Sequence, residues 1–131
     1  MRTATGRTSG ACGFTLIELL VVMVIIATLL TIAAPRYFRS VDRTRETVLA
    51  QDLAVMRDAI DKFCADRARY PESLDELTVE RYLRSVPVDP ITRSRDTWVV
   101  VVSDDPDLPG VRDVRSGATA LSSRGTPYDE W

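Results

Sequence analysis

The chain has 131 residues, with 17 basic and 19 acidic side chains, no histidine and a formal net charge of −2. That length allows one small domain, the charge leaves no electrostatic footprint for nucleic acid, and a histidine general base or zinc ligand is excluded. The two cysteines, Cys12 and Cys64, have no CxxC spacing and make no metal motif.

Residues 1–13 are small, polar and basic, with Arg2 and Arg7 their only charged side chains. A secretory signal puts an apolar region first and a small-residue cleavage site after it. Here the order is reversed. Small residues ending in Gly13 precede the apolar run, so a cut there keeps the hydrophobic helix and discards the leader. Cys12 does not fit a lipoprotein acceptor cysteine, because no apolar region precedes it.

From Phe14 to Ala34 the only charged side chain is Glu18. The run matches the roughly 20 apolar residues that a helix needs to cross a bilayer. A carboxylate inside such a run costs about 2.5–3.5 kcal/mol on insertion scales and marks a functional position. Thr15-Leu16-Ile17-Glu18 also matches the S/T-x-x-E capping box, and an acid in a first turn suits the helix dipole. A helix cap and an acid awaiting a partner both fit these residues.

Gly13-Phe14-Thr15-Leu16-Ile17-Glu18-Leu19 resembles the prepilin signature of type IV pilins and type II secretion pseudopilins. The resemblance implies that a prepilin peptidase cuts between Gly13 and Phe14 and that Phe14 becomes N-methylated. Cleavage would place a cationic amine on Phe14, and Glu18 lies four residues on, about 6 Å along a helix. A neighbouring subunit displaced by a similar step would bring its amine to this carboxylate. The pair would neutralise two charges in low-dielectric surroundings, where leaving one alone is expensive.

The implied organisation is a leader at 1–13, a membrane or filament-core segment at 14–35, an amphipathic helical segment at 36–67 and an exported globular domain at 68–131. The resemblance implies an inner-membrane protein with a cytoplasmic leader and a periplasmic C-terminal part. Arg36, Arg39, Arg43 and Arg45 beyond the span outnumber Arg2 and Arg7 before it, so the positive-inside rule alone favours the opposite orientation. Pro35 removes one helical hydrogen bond and crowds the preceding turn. It either kinks the helix or marks the membrane exit.

Beyond Pro35 the helical pattern becomes amphipathic. Leu49, Leu53, Met56, Ile60 and Phe63 recur at alternating steps of four and three, one stripe on a helix. Asp52, Arg57, Asp58, Asp61 and Lys62 occupy the other faces. The stripe predicts the core of a small domain, with Cys64 a buried thiol beside it. Tyr70-Pro71 ends the helix. Ser73-Leu74-Asp75-Glu76 is a second capping box and predicts a short helix through about Arg84, with Leu74, Leu77 and Leu83 facing inward. Val86-Pro87-Val88-Asp89-Pro90 reads as a rigid connector. Trp98 to Val102 reads as a buried strand, Ser103 to Gly110 as an acidic turn, and Val111 to Arg115 as a second strand paired to the first. Ser116-Gly117 turns the chain, and Tyr128 and Trp131 are expected to pin its last stretch. The fold class is α+β: one long N-terminal helix packed on a small antiparallel sheet.

The order Tyr-Pro, Leu-x-x-Leu, Tyr-Leu, Pro-x-Asp-Pro is similar to the major pseudopilins of type II secretion, the general secretion pathway protein G family. That family continues with Trp-Gly where this chain has Ile91-Thr92. The resemblance implies a structural subunit without catalytic residues. It would form a homo-oligomeric filament, a periplasmic pseudopilus, with other pseudopilins and an inner-membrane assembly platform. A type IV pilus pilin is the alternative; many pilins close a C-terminal loop with a disulfide, and no cysteine follows Cys64 here. The resemblance also implies calcium in the C-terminal loop, with Ser116 and Asp129 as candidate ligands. Asp104, Asp105 and Asp107 raise the same idea by their density, or are simply a solvated turn. No serine, cysteine or carboxylate pair stands in a nucleophile setting.

Overall fold

The computed structural model describes residues 6, 10 and 12–131; the leader arginines Arg2 and Arg7 lie outside the described residues. In chain order the elements are α1 (Leu16–Arg67), α2 (Leu74–Val79), β1 (Val99–Val102), β2 (Val111–Arg115) and a short 3-10 turn at Tyr128–Glu130. The chain is α+β and divides into two compact units, residues up to Phe38 and Arg39–Trp131. α1 is helical for 52 residues, with Pro35 inside it.

In the first unit, the helix from Leu16 to Ala34 is exposed along its whole length. It is long and apolar enough to cross a membrane, and none of its most apolar window is buried by the rest of the chain.

In the second unit the stripe does what its spacing predicts. Leu49, Met56, Ile60 and Phe63 have no exposed surface, and Leu53 has almost none. They form one cluster with Leu74, Leu77, Leu83, Trp98, Val111, Val114, Ala118 and Tyr128. Tyr82 meets Phe63 edge to face at 5.2 Å, and Arg69 lies over the same ring at 5.1 Å. Cys64 is half-buried rather than buried, because it lies one residue off the stripe.

α2 begins as expected and ends early. The Ser73 hydroxyl accepts from the Glu76 N–H at 3.3 Å. The Glu76 carboxylate reaches one residue further back than a capping box, to the Glu72 N–H at 2.6 Å, and pairs with Arg69 at 2.6 Å. The helix stops at Val79, well short of Arg84. Arg81 adopts φ +62°, its N–H donates to Thr78 O at 3.2 Å, and the Tyr82 N–H donates to Leu77 O at 2.9 Å. This is a Schellman stop, usually signalled by glycine. An arginine in that position gives no such signal.

β1 and β2 pair antiparallel from Val99↔Arg115 to Val102↔Val111. The two buried valines of β2, Val111 and Val114, are three residues apart, which in a regular strand sends them to opposite faces. A bulge leaves Arg112 unpaired and returns both valines to the core. β1 is not the buried strand its composition predicts. Trp98 before it is buried, with its indole N–H donating to Pro87 O at 2.8 Å, but Val99, Val100 and Val102 are exposed. Among the described residues the sheet has two strands, too few to cover β1.

The connector 86–90 is organised by one acid. Asp89 is fully buried; its Oδ1 accepts from the N–H groups of Ile91 (2.8 Å) and Thr92 (3.3 Å), and its Oδ2 from the Ser116 hydroxyl (2.5 Å). This fastens the 89–97 loop beside the turn at Ser116-Gly117. The two chains there approach so closely that a Cβ on Gly117 would lie 1.9 Å from Thr97 O. Gly117→Ala is expected to cost about 3 kcal/mol by overpacking. Gly125→Ala, at φ +79° in open space, is expected to cost about 1 kcal/mol. Urea unfolding of both variants checks the contact, and equal losses would deny it.

Candidate processing and assembly site

The residues of the signature lie together because they are contiguous, and the structure displays them openly. A Cβ on Gly13 would meet no atom within 4 Å, and Phe14 is 87% exposed. α1 starts just after Thr15, whose hydroxyl accepts from the Glu18 N–H at 3.2 Å. That is half of a capping box. The return half is not made: among the described residues the Glu18 carboxylate has no hydrogen-bond or ion-pair partner. Phe14, Leu16, Leu19 and Val22 form an apolar surface around it. Thr15 therefore caps the helix alone, and Glu18 is left as an unpaired acid on an apolar face.

At the other end of the chain, two residues of α1 hold the C-terminal segment, and neither was among the sequence-derived candidates. Glu46 is buried, and its carboxylate accepts from the Ser123 N–H (2.5 Å), the Ser123 hydroxyl (2.6 Å) and the Tyr128 hydroxyl (2.9 Å). Burial pushes the Glu46 pKa up, but the hydrogen bonds from Ser123 and Tyr128 and the nearby Arg124 outweigh it and hold it below its ordinary value. Burial and the Glu46 carboxylate together push the Tyr128 hydroxyl up to about 12. Arg57 donates to Asp113 Oδ1 at 2.7 Å, to Val114 O at 3.0 Å and to Trp131 O at 2.8 Å. Trp131 packs on Tyr128 with ring centroids 5.6 Å apart, so both aromatics pin this segment as expected. A signal for Glu46 exists: it lies three residues before Leu49 and extends the buried stripe by one step. Arg57 carries no local signal, because its partners are 56 to 74 residues away.

The calcium donors do not fit. Ser116 is fully buried and its hydroxyl is spent, donating to Asp89 and accepting from the Ala118 N–H at 3.2 Å. Asp129 is exposed on the 3-10 turn. In the acidic hairpin turn, Asp105 Oδ1 accepts from the Asp107 N–H at 2.9 Å, and the three aspartates face solvent. Among the described residues no three carboxylate or thiol side chains cluster as a metal site.

The prokaryotic N-terminal methylation motif matches residues 8–34, the stretch that holds Gly13, Phe14 and Glu18. Type II secretion system core protein G of Klebsiella michiganensis is 28% identical, over 72% of this chain and 66% of its own. Core protein G of Pseudomonas aeruginosa is 30% identical, over 60% of this chain and 66% of its own. That of Escherichia coli is 29% identical, over 60% and 65%. The chain is similar to these type II secretion core G proteins and carries the N-terminal methylation motif. It spans just under two thirds of the length of these relatives. No solved structure matches it. In this chain the C-terminal segment is fastened through side chains of α1, Glu46 and Arg57.

Because the Glu46 pKa is depressed in the folded state, its contribution is complete above its ordinary 4.5 and lost as pH falls through the lower folded value. Glu46→Gln is expected to lose about 2 kcal/mol near neutral pH, where the charged acceptor is replaced by a neutral one. The variant's stability is expected to fall less steeply than the wild type's once the pH drops below 4.5. Urea midpoints measured across that range test both; parallel curves would contradict the role.

Proposed function

We propose that the chain is a structural subunit of a type II secretion pseudopilus. In this reading a prepilin peptidase cuts between Gly13 and Phe14, and the new Phe14 amine is methylated. The segment 14–35 anchors the subunit in the bacterial inner membrane, with Arg39–Trp131 on the periplasmic side. Subunits then leave the membrane and stack with other pseudopilins on an inner-membrane assembly platform, their apolar helices forming the filament core. One observation carries the proposal. The methylation motif coincides with an exposed apolar stretch of α1 whose one acid, Glu18, has no hydrogen-bond or ion-pair partner among the described residues. Similarity to proteins named type II secretion system core protein G supports secretion over a type IV pilus.

The chemistry is a charge pair made only between molecules. In the uncut chain, the nitrogen of Phe14 is an amide and carries no charge. Cleavage turns it into an ammonium group, and a Glu18 of the neighbouring subunit receives it. Each incoming subunit is then registered by the same contact, and a misplaced one leaves two uncompensated charges in an apolar core. Pro35 sits where the anchor segment ends, and we assign it the role of letting the helix bend or loosen there during packing.

Mass spectrometry of the mature protein is expected to find methylated phenylalanine at position 14; an uncut Met1 would refute processing. Glu18→Ala is expected to insert into membranes normally. Leaving the partner amine unpaired costs about 3 kcal/mol or more per contact, over a hundred-fold in each association step. Filaments visible by electron microscopy should therefore disappear, and wild-type filament yield in that variant would refute the registering role.

A further inference from the structure

Arg39, Arg43 and Arg124 are exposed, and among the described residues no carboxylate lies within ion-pair distance of them. Arg39 and Arg43 are one turn apart on the same face of α1. Arg43 and Arg124 line a cleft of ≈ 570 Å³ with Thr47, Ser123 and Trp131. Among the described residues Glu46 is the only acidic side chain in its lining, and that carboxylate is already occupied by Ser123 and Tyr128. The cleft thus presents two guanidinium groups, donors suited to a phosphodiester, while the Thr47 and Ser123 hydroxyls beside them already donate to Arg43 O and to Glu46.

The position of these arginines along the chain is equally specific. Arg39 follows Ala34 by five residues and Arg43 by nine, about 8 and 14 Å of helix. Headgroups extend about 5–8 Å beyond each side of the hydrocarbon core. Arginine stems reach back several ångströms to place their charge at that level. If segment 14–34 is in the membrane, Arg39 stands among the headgroups and Arg43 is within reach of them.

We infer that Arg39, Arg43 and Arg124 form a docking surface for anionic phospholipid headgroups. The inference rests on the membrane reading of 14–34. Charge complementarity and chain continuity with that anchor favour lipid. The exposed acids of the 104–107 turn in a second copy are the competing partner, but Asp105 is tied into its own turn. This surface also gives a use to Arg39 and Arg43, two of the four arginines that the positive-inside rule counts against an exported orientation.

The test uses the full chain reconstituted in phosphatidylcholine vesicles, comparing association of spin-labelled phosphatidylglycerol with spin-labelled phosphatidylcholine. The wild type is expected to prefer phosphatidylglycerol. Each arginine replaced by glutamine in Arg39→Gln/Arg43→Gln/Arg124→Gln is expected to lower that preference about five-fold. The matching triple lysine variant, which keeps the charge, is expected to retain most of it. A preference that is absent, or unchanged in the glutamine variant, overturns the proposal alone. Failure of the wild type to co-float with vesicles overturns it together with the membrane anchor. A glutamine variant that keeps its lipid preference but forms no filaments gives the arginines to a second copy and likewise overturns it.

Discussion

The stripe from Glu46 through Leu49, Leu53, Met56 and Ile60 to Phe63 is the surface on which the rest of the Arg39–Trp131 unit depends. A two-stranded hairpin is marginal by itself in water, and so is a six-residue helix. Neither β1–β2 nor α2 has the area to form a core without α1. α1, in contrast, is helical for 52 residues and carries the whole stripe on one face. The unit is therefore built by laying short elements on a long one.

A core this small leaves much of the fastening to polar groups. Asp89, Glu46 and Arg57 each tie a stretch of chain that lacks regular structure: the 89–97 loop, the 122–128 loop and the terminal residues beside Trp131. Burying Asp89 and Glu46 is costly unless their oxygens are filled, and both have donors on each oxygen. Asp52 shows the cost where compensation is thinner: burial and the nearby Asp89 push its carboxyl pKa up. The same logic accounts for the calcium reading failing at Ser116. A hydroxyl committed to a buried carboxylate is part of the loop's own hydrogen bonding and is not free to bind an ion.

What was legible in the sequence follows the range of the interaction. Residues 13–18 are contiguous, so the prepilin-like signature reads directly. The stripe and the pairing of β1 with β2 depend on spacing and were also readable. The stop of α2 was not, because Arg81 adopts a left-handed conformation without the glycine that announces one. The exposure of β1 was not, because a run of valines reports strand preference and says nothing of what covers it. Arg57 was hidden for a third reason: its partners come from β2 and from Trp131, and no local pattern encodes a contact across 74 residues. Glu46 lies between these cases. Its place in the stripe was visible, but its partners Ser123 and Tyr128 were not.

The division of work between Thr15 and Glu18 has an energetic consequence for the proposed assembly. Lipid tails are about as apolar as leucine, so exchanging lipid for neighbouring helices gives the exposed side chains of Leu16 to Ile32 little hydrophobic gain. Glu18 is different. Alone among lipid it costs about 2.5–3.5 kcal/mol, and a cation beside it removes that cost. The term that separates a stored subunit from an assembled one is then a charge at one position rather than apolar area. That term would be weakened if the carboxylate were already engaged in closing its own helix start. Because the Thr15 hydroxyl accepts the Glu18 N–H, the helix is capped without the Glu18 carboxylate, which stays available to another molecule.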